Sequence, residues 1–199
     1  MLPSKDNTLF QDSLGSQSNG AGQYLFSGAT KQRSVRRALI AFDIAKAIPA
    51  GATITKVQLT LSMSKTISVP QSVALRRVLS DWGEGRSDAS ASEGAGATAT
   101  TGDATWLHRT FNTAMWAKAG GDFADTASAN LSVGGVGKYT WTSAQMAADV
   151  QQWLNNPASN FGWVLIGNEG STATAKRFDS KENDTPANRP VLVVDYTTP

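Results

Sequence analysis

Cysteine is absent from the 199 residues, and histidine occurs once, at His108. Without cysteine there is no disulfide framework and no thiolate metal site. One histidine is too few for a zinc hydrolase, which needs two or more His or Cys ligands. A Ser-His-Asp triad has only His108 to draw on, and no G-x-S-x-G elbow accompanies it. No apolar run approaches the roughly 20 residues that cross a bilayer, so membrane insertion is not expected. Met1-Leu2-Pro3-Ser4-Lys5 lacks the apolar segment of a signal peptide. No Walker loop, Rossmann glycine pattern or nucleic-acid motif is present, and no nucleic-acid partner is expected. Charged residues are only 17% and hydrophobic ones 40%, which argues against a chain kept unfolded by its own charge.

The clearest pattern lies in residues 37–63. Ala38, Ile40, Phe42 and Ile44 alternate with Arg37, Ala41 and Asp43. After a Pro49-Ala50-Gly51 turn, Val57, Leu59, Leu61 and Met63 alternate with Lys56, Gln58, Thr60 and Ser62. Period-two alternation predicts two half-buried strands, each with one wet face, in an antiparallel sheet. Further strands are expected at 7–10, 23–27, 72–79, 105–111, 137–141, 163–167, 176–179 and 190–196. Met146, Val150, Trp153 and Leu154 fall on one helical stripe. Thr142 and Ser143 offer N-caps, Thr142 with Gln145 fits a capping box, and Asn155-Asn156-Pro157 ends the helix. Two stretches, about 83–105 and 116–135, are predicted to be long loops. The expected fold is all-β: one domain over 1–199, a two-sheet antiparallel β-sandwich of jelly-roll type with one short amphipathic helix.

The formal charge is only +2, but basic residues cluster. Lys31, Arg33, Arg36 and Arg37 lie close together, and Arg76-Arg77 and Lys176-Arg177 are adjacent pairs. On a strand each pair sends one charge outward and one toward a partner or a rim. The ordinary reading is a solvated sheet face; the other is a basic stripe for an acidic polymer.

Arg37-Ala38-Leu39-Ile40-Ala41-Phe42-Asp43-Ile44, Ile48-Pro49-Ala50-Gly51-Ala52-Thr53-Ile54 and Val57-Gln58-Leu59-Thr60-Leu61 resemble the core signature of DNRLRE domains. Trp82 with Glu84, Asp149-Val150-Gln151-Gln152-Trp153, Asn160-Phe161-Gly162-Trp163, Arg177-Phe178-Asp179-Ser180-Lys181-Glu182 and Arg189-Pro190-Val191 follow in that family's order. The resemblance implies a jelly-roll module of exported bacterial and archaeal proteins, some of which bind acidic polysaccharides such as alginate. It implies an extracellular or cell-surface protein, monomeric or part of a larger exported one, whose leader lies outside these residues.

On this reading polysaccharide is the partner. Trp82, Trp106 and Trp116, in or beside polar loops, either stack sugar rings or anchor the loops to the core. Arg76, Arg77, Arg109 and Lys118 would pair with uronate carboxylates. Trp141, Trp153 and Trp163 are expected in the core. Asp81, Glu84, Asp88, Glu93 and Asp103 offer oxygen ligands for a structural Ca2+, although their spacing is not that of an EF-hand. A solvated acidic loop is the other reading. Glu182 is expected to pair with Arg36 or Arg37; without such a pair it is a free carboxylate. Two alternatives to a non-catalytic carbohydrate-binding module stand. One is a structural or adhesive surface module; the other is an enzyme using Asp81 with Glu84 or Asp103.

Overall fold

The computed structural model describes residues 1–198. In chain order its strands are β1 (Lys5–Phe10), β2 (Gln17–Ser18), β3 (Tyr24–Ala29), β4 (Val35–Ala41), β5 (Thr53–Thr66), β6 (Gln71–Arg77), β7 (Ala97–Thr98), β8 (His108–Thr110), β9 (Ala114–Met115), β10 (Ala129–Val133), β11 (Gly137–Thr142), β12 (Trp163–Ile166), β13 (Lys176–Asp179) and β14 (Val191–Thr197). The helices are α1 (Ile44–Ala47) and α2 (Ala144–Asn155). All pairings are antiparallel, and the sheets curl, with the part around β4 forming a half-barrel.

Ten strands join in one hydrogen-bonded path, β10-β6-β12-β4-β3-β13-β5-β11, with β1 also on β4 and β14 on β5. The path is continuous because β3 changes partner. Tyr24 to Ser27 pair with β13, whereas Gly28 and Ala29 pair with β4. Gly28 makes that corner at φ 100°, and a Cβ there would lie 2.9 Å from the Thr174 carbonyl oxygen. Only glycine takes this conformation without strain.

The main core lies inside the curl. It gathers Ala38 and Ile40 of β4, Val57, Leu59, Leu61 and Met63 of β5, Leu75 of β6, Leu165 of β12 and Phe178 of β13. The stripe Met146, Val150, Trp153 and Leu154 seats α2 on it, as the periodicity predicts. Trp153 meets Trp163 edge-on at 4.6 Å between ring centres. Ser143 alone caps α2, its hydroxyl accepting from the Met146 N–H at 2.9 Å. Thr142 makes no capping box; it ends β11, and its hydroxyl donates to the Val57 carbonyl.

β5 shows the expected alternation from Val57 to Leu61, with Lys56 in water and Gln58 and Thr60 half-buried, but Ser62, expected on the wet face, is buried. β4 does not have a wet face. Leu39 and Ala41 are as buried as Ala38 and Ile40, because a second core covers the outer side of the sheet. Leu9, Val35, Leu39, Ala41, Val78 and Val164 form its floor, and Trp82, Ala104, Trp106 and Trp116 form its roof. The irregular stretches therefore make an apolar layer. Several boundaries also differ from expectation, and the expected loop 83–105 contains the two-residue strand β7, paired with β2. Ile44 begins the one-turn helix α1, capped by Asp43, so that Ile44 and Ile48 face inward four residues apart. Only His108–Thr110 of residues 105–111 is a strand. The stretch 116–135 contains β10, paired with β6.

Gly28→Ala should lower the unfolding free energy by more than about 1 kcal/mol, through the positive φ and the Thr174 clash. Urea denaturation measures this, and an unchanged midpoint would show that the corner relaxes freely.

Candidate functional site

The three loop tryptophans are not exposed platforms. Trp82, Trp106 and Trp116 are 2%, 8% and 5% accessible and belong to the second core. The Trp82 indole N–H donates to the Phe161 carbonyl at 2.9 Å, and that of Trp116 to Thr105 at 2.9 Å. Lys5 lies over the Trp82 ring, and Arg37 over that of Trp106. Of the two readings, loop anchor fits this burial, because a sugar needs an open indole face.

The expected uronate-pairing bases are dispersed. Arg77 is held by the buried Asp149 carboxylate (Nε–Oδ1 3.3 Å) and by Gln152 (2.6 Å). Asp149 also accepts from the Trp163 indole at 3.0 Å, which locks α2 to β12. Arg76 donates to the Ala124 and Asp125 carbonyls, and Arg109 to that of Asp81. Lys118 is exposed on a separate turn. Arg37 forms a bidentate pair with Glu169, both contacts at 2.8 Å, not with Glu182.

The expected metal-loop acids do not converge either. Asp103 is fully buried and accepts backbone N–H bonds from Arg86 (2.8 Å), Ser87 (3.3 Å) and Thr100 (2.5 Å), plus the Ser87 and Thr100 hydroxyls. Glu93 accepts from the Asn19 side chain (2.8 Å), Gln23 N–H (3.1 Å) and Tyr24 N–H (3.0 Å). These two carboxylates satisfy backbone N–H groups and tie the Gly/Ala loop to its surroundings. Asp81 pairs with Lys5 at 2.8 Å, and Asp88 is exposed.

Glu84 has a different setting. One carboxylate oxygen each from Asp6, Glu84 and Glu182 lies within 4.8 Å of the others. Asp6 is on β1, Glu84 follows Trp82, and Glu182 follows β13. The Asp6 N–H donates to Glu84 Oε1 (2.8 Å), and the Lys181 N–H donates to Asp6 Oδ2 (2.9 Å). The Lys181 ammonium lies 3.1 Å from Glu84 and also contacts Glu182. Burial, reinforced by the Glu182 charge, holds the Asp6 carboxyl well above the usual carboxylate range. Burial lifts Glu84 as well.

A second arrangement is basic. At the corner where β3 leaves β13, a groove of about 180 Å³ is lined by Phe26, Arg36, Lys65, Ile67, Gly94 and Arg177. The adjacent pairs behave as strand geometry demands. Lys176 points inward, its ammonium held by the Ser68, Val69 and Gly134 carbonyls at 3.0–3.3 Å. Arg177 points outward and stacks on Tyr24 at 3.7 Å. Arg36 donates to Gly94 and Val35 carbonyls and to the Ser34 hydroxyl, and burial pulls it down to about 10. Among the described residues no carboxylate lies within 4.0 Å of Arg36, Lys65 or Arg177. Their signal was in the sequence, in the clusters around Arg36 and at Lys176-Arg177, but the long separations hid the groove.

No family model matches this chain, and no curated protein matches it in sequence.

Trp116→Ala should cost about 3–5 kcal/mol in urea unfolding, as for an aromatic removed from a core. Asp103→Ala should cost more than about 2 kcal/mol, because it leaves buried N–H groups unpaired. Asp88→Ala should stay within about 0.5 kcal/mol. Equal, small effects in all three would mean that the loop layer is not part of the folded core.

Proposed function

We propose that this chain is a non-catalytic binding module for acidic polysaccharides, working outside the cell on a jelly-roll β-sandwich frame. The observation that carries the reading is the groove at the β3 corner, where Lys65 and Arg177 line the opening beside the buried Arg36 and, among the described residues, no carboxylate lies within 4.0 Å of the three. Uronate carboxylates are planar, bidentate acceptors that suit the Arg177 guanidinium, and the exposed Ile67 supplies apolar surface for the C–H face of a ring. The sequence resemblance to DNRLRE domains supports the same reading.

Charge distribution supports it further. Among the described residues Asp6, Glu93, Asp103, Asp149 and Asp179 are buried, five of 16 acids, against only Arg36 and Lys176 of 18 bases. The accessible surface is therefore more basic than the formal +2. A surface of that sign raises the local concentration of a polyanion and weakens with added salt.

The burial of Trp82, Trp106 and Trp116 favours the second reading, a structural or adhesive surface module with no small ligand. Affinity electrophoresis separates the two. In gels containing a polyuronate the protein should be retarded, and in gels containing a neutral glucan it should not. Lys65→Ala with Arg177→Ala should abolish the retardation with little change in melting temperature, because both side chains lie at the surface of the groove. Retardation should fade between about 50 and 200 mM salt. Equal migration of wild type in both gels would leave the structural module standing.

A further inference from the structure

We propose that Asp6, Glu84 and Glu182 form a binding site for one hard divalent cation, of which Ca2+ is the best match. The acidic grouping is one observation. The second, independent one is that its deepest member is unsatisfied. Asp6 is 1% accessible, yet among the described residues its Oδ1 finds no hydrogen-bond partner. Glu182 Oε2 is likewise buried with no partner. Buried carboxylate oxygens without donors are costly, and native proteins pair them with a proton donor, a cation or ordered water.

Lys181 does not fill this role. Its ammonium reaches one oxygen of Glu84 and one of Glu182, and leaves Asp6 Oδ1 and Glu182 Oε2 without a partner. With all four groups ionised the cluster carries two net negative charges, which one divalent ion neutralises. The donors are oxygens only, since the chain has no cysteine and its single histidine, His108, bonds to Thr105. That set suits Ca2+ or Mg2+ and not zinc or copper. Three carboxylates provide between three and six of the roughly six to eight oxygens that Ca2+ takes, water supplying the rest. Mg2+ holds its waters more tightly and demands a stricter octahedron, so it should bind more weakly.

Such an ion would fasten three distant segments. Asp6 lies near the start of the first strand of the main sheet, Glu84 lies 78 residues on at the start of the irregular layer, and Glu182 lies a further 98 residues on, between β13 and β14. It would tie the roof of the second core to both ends of the chain.

Isothermal titration of chelator-treated protein with CaCl2, alongside melting curves, tests this directly. Expected are one Ca2+ per chain, a higher melting temperature in Ca2+ than in chelator, and a smaller rise with Mg2+. Asp6→Asn and Glu182→Gln should each weaken Ca2+ binding by about tenfold or more, while Asp88→Asn, an exposed acid outside the cluster, should not. Should Asp6→Asn fail to fold, the more accessible Glu182→Gln decides alone. Absence of heat and of any melting shift in wild type would overturn the site and assign the unpaired oxygens to a proton on Asp6. Unchanged affinity in both variants would also overturn it, by placing the ion elsewhere.

Discussion

The constraint on which the structure depends is that β4 is covered on both faces. A strand in that position can expose neither set of side chains, so Val35, Ala38, Leu39, Ile40 and Ala41 are all apolar and buried. One side is met by β5 and the rest of the inner core. The other needs a roof, and the short β8–β9 ladder with the irregular chain around it supplies one. The roof is drawn from residues 82–116, a segment with little apolar content except its tryptophans. Large rings solve the coverage problem with few residues, since each buries the area of several smaller side chains.

The short ladders of this layer, β2 with β7 and β8 with β9, leave other backbone N–H groups to be satisfied by other means. Buried carboxylates do this here. Asp103 and Glu93 each gather several donors from loop backbone and side chains, and Asn7 reaches Ser18 and the Glu84 carbonyl across the same region. Hydrogen bonds to a charged acceptor are worth roughly 1.5–3 kcal/mol each, enough to fix irregular chain. Asp6 stands apart from this pattern. Its Oδ2 receives one N–H while its Oδ1 receives none, so it is the buried carboxylate whose local donors fall short.

The frame was readable from side-chain period. The β5 run and the α2 stripe appear where periodicity puts them, because each is amphipathic by itself. The sequence of β4 reads as half-wet because Arg37, Ala41 and Asp43 alternate with its apolar residues. The structure buries Arg36 and pairs Arg37 with Glu169, 132 residues away. The roles of the loop acids were not readable for a related reason. Asp81, Glu84, Asp88, Glu93 and Asp103 are neighbours in sequence, but each turns to a different partner. The acids that do meet are separated by 78 and 98 residues. One local signal was available: three tryptophans in segments too poor in charge to keep them in water imply a covered layer.

The groove and the acidic trio lie close along the chain at β13. Arg177 lies on β13 and Glu182 just beyond its end, five residues apart, so chain reach keeps them within about 18 Å. The trio's negative charge would oppose a polyanion approaching along that strand, to the extent that a Debye length of about 8 Å in physiological salt leaves it unscreened. A bound divalent ion would cancel that charge without touching Arg36, Lys65 or Arg177. Cation loading would then act on ligand binding through the field alone, with no movement of the groove. That coupling has a signature distinct from loop ordering: it would shrink as salt is raised, whereas stabilisation of the roof by the same ion would persist.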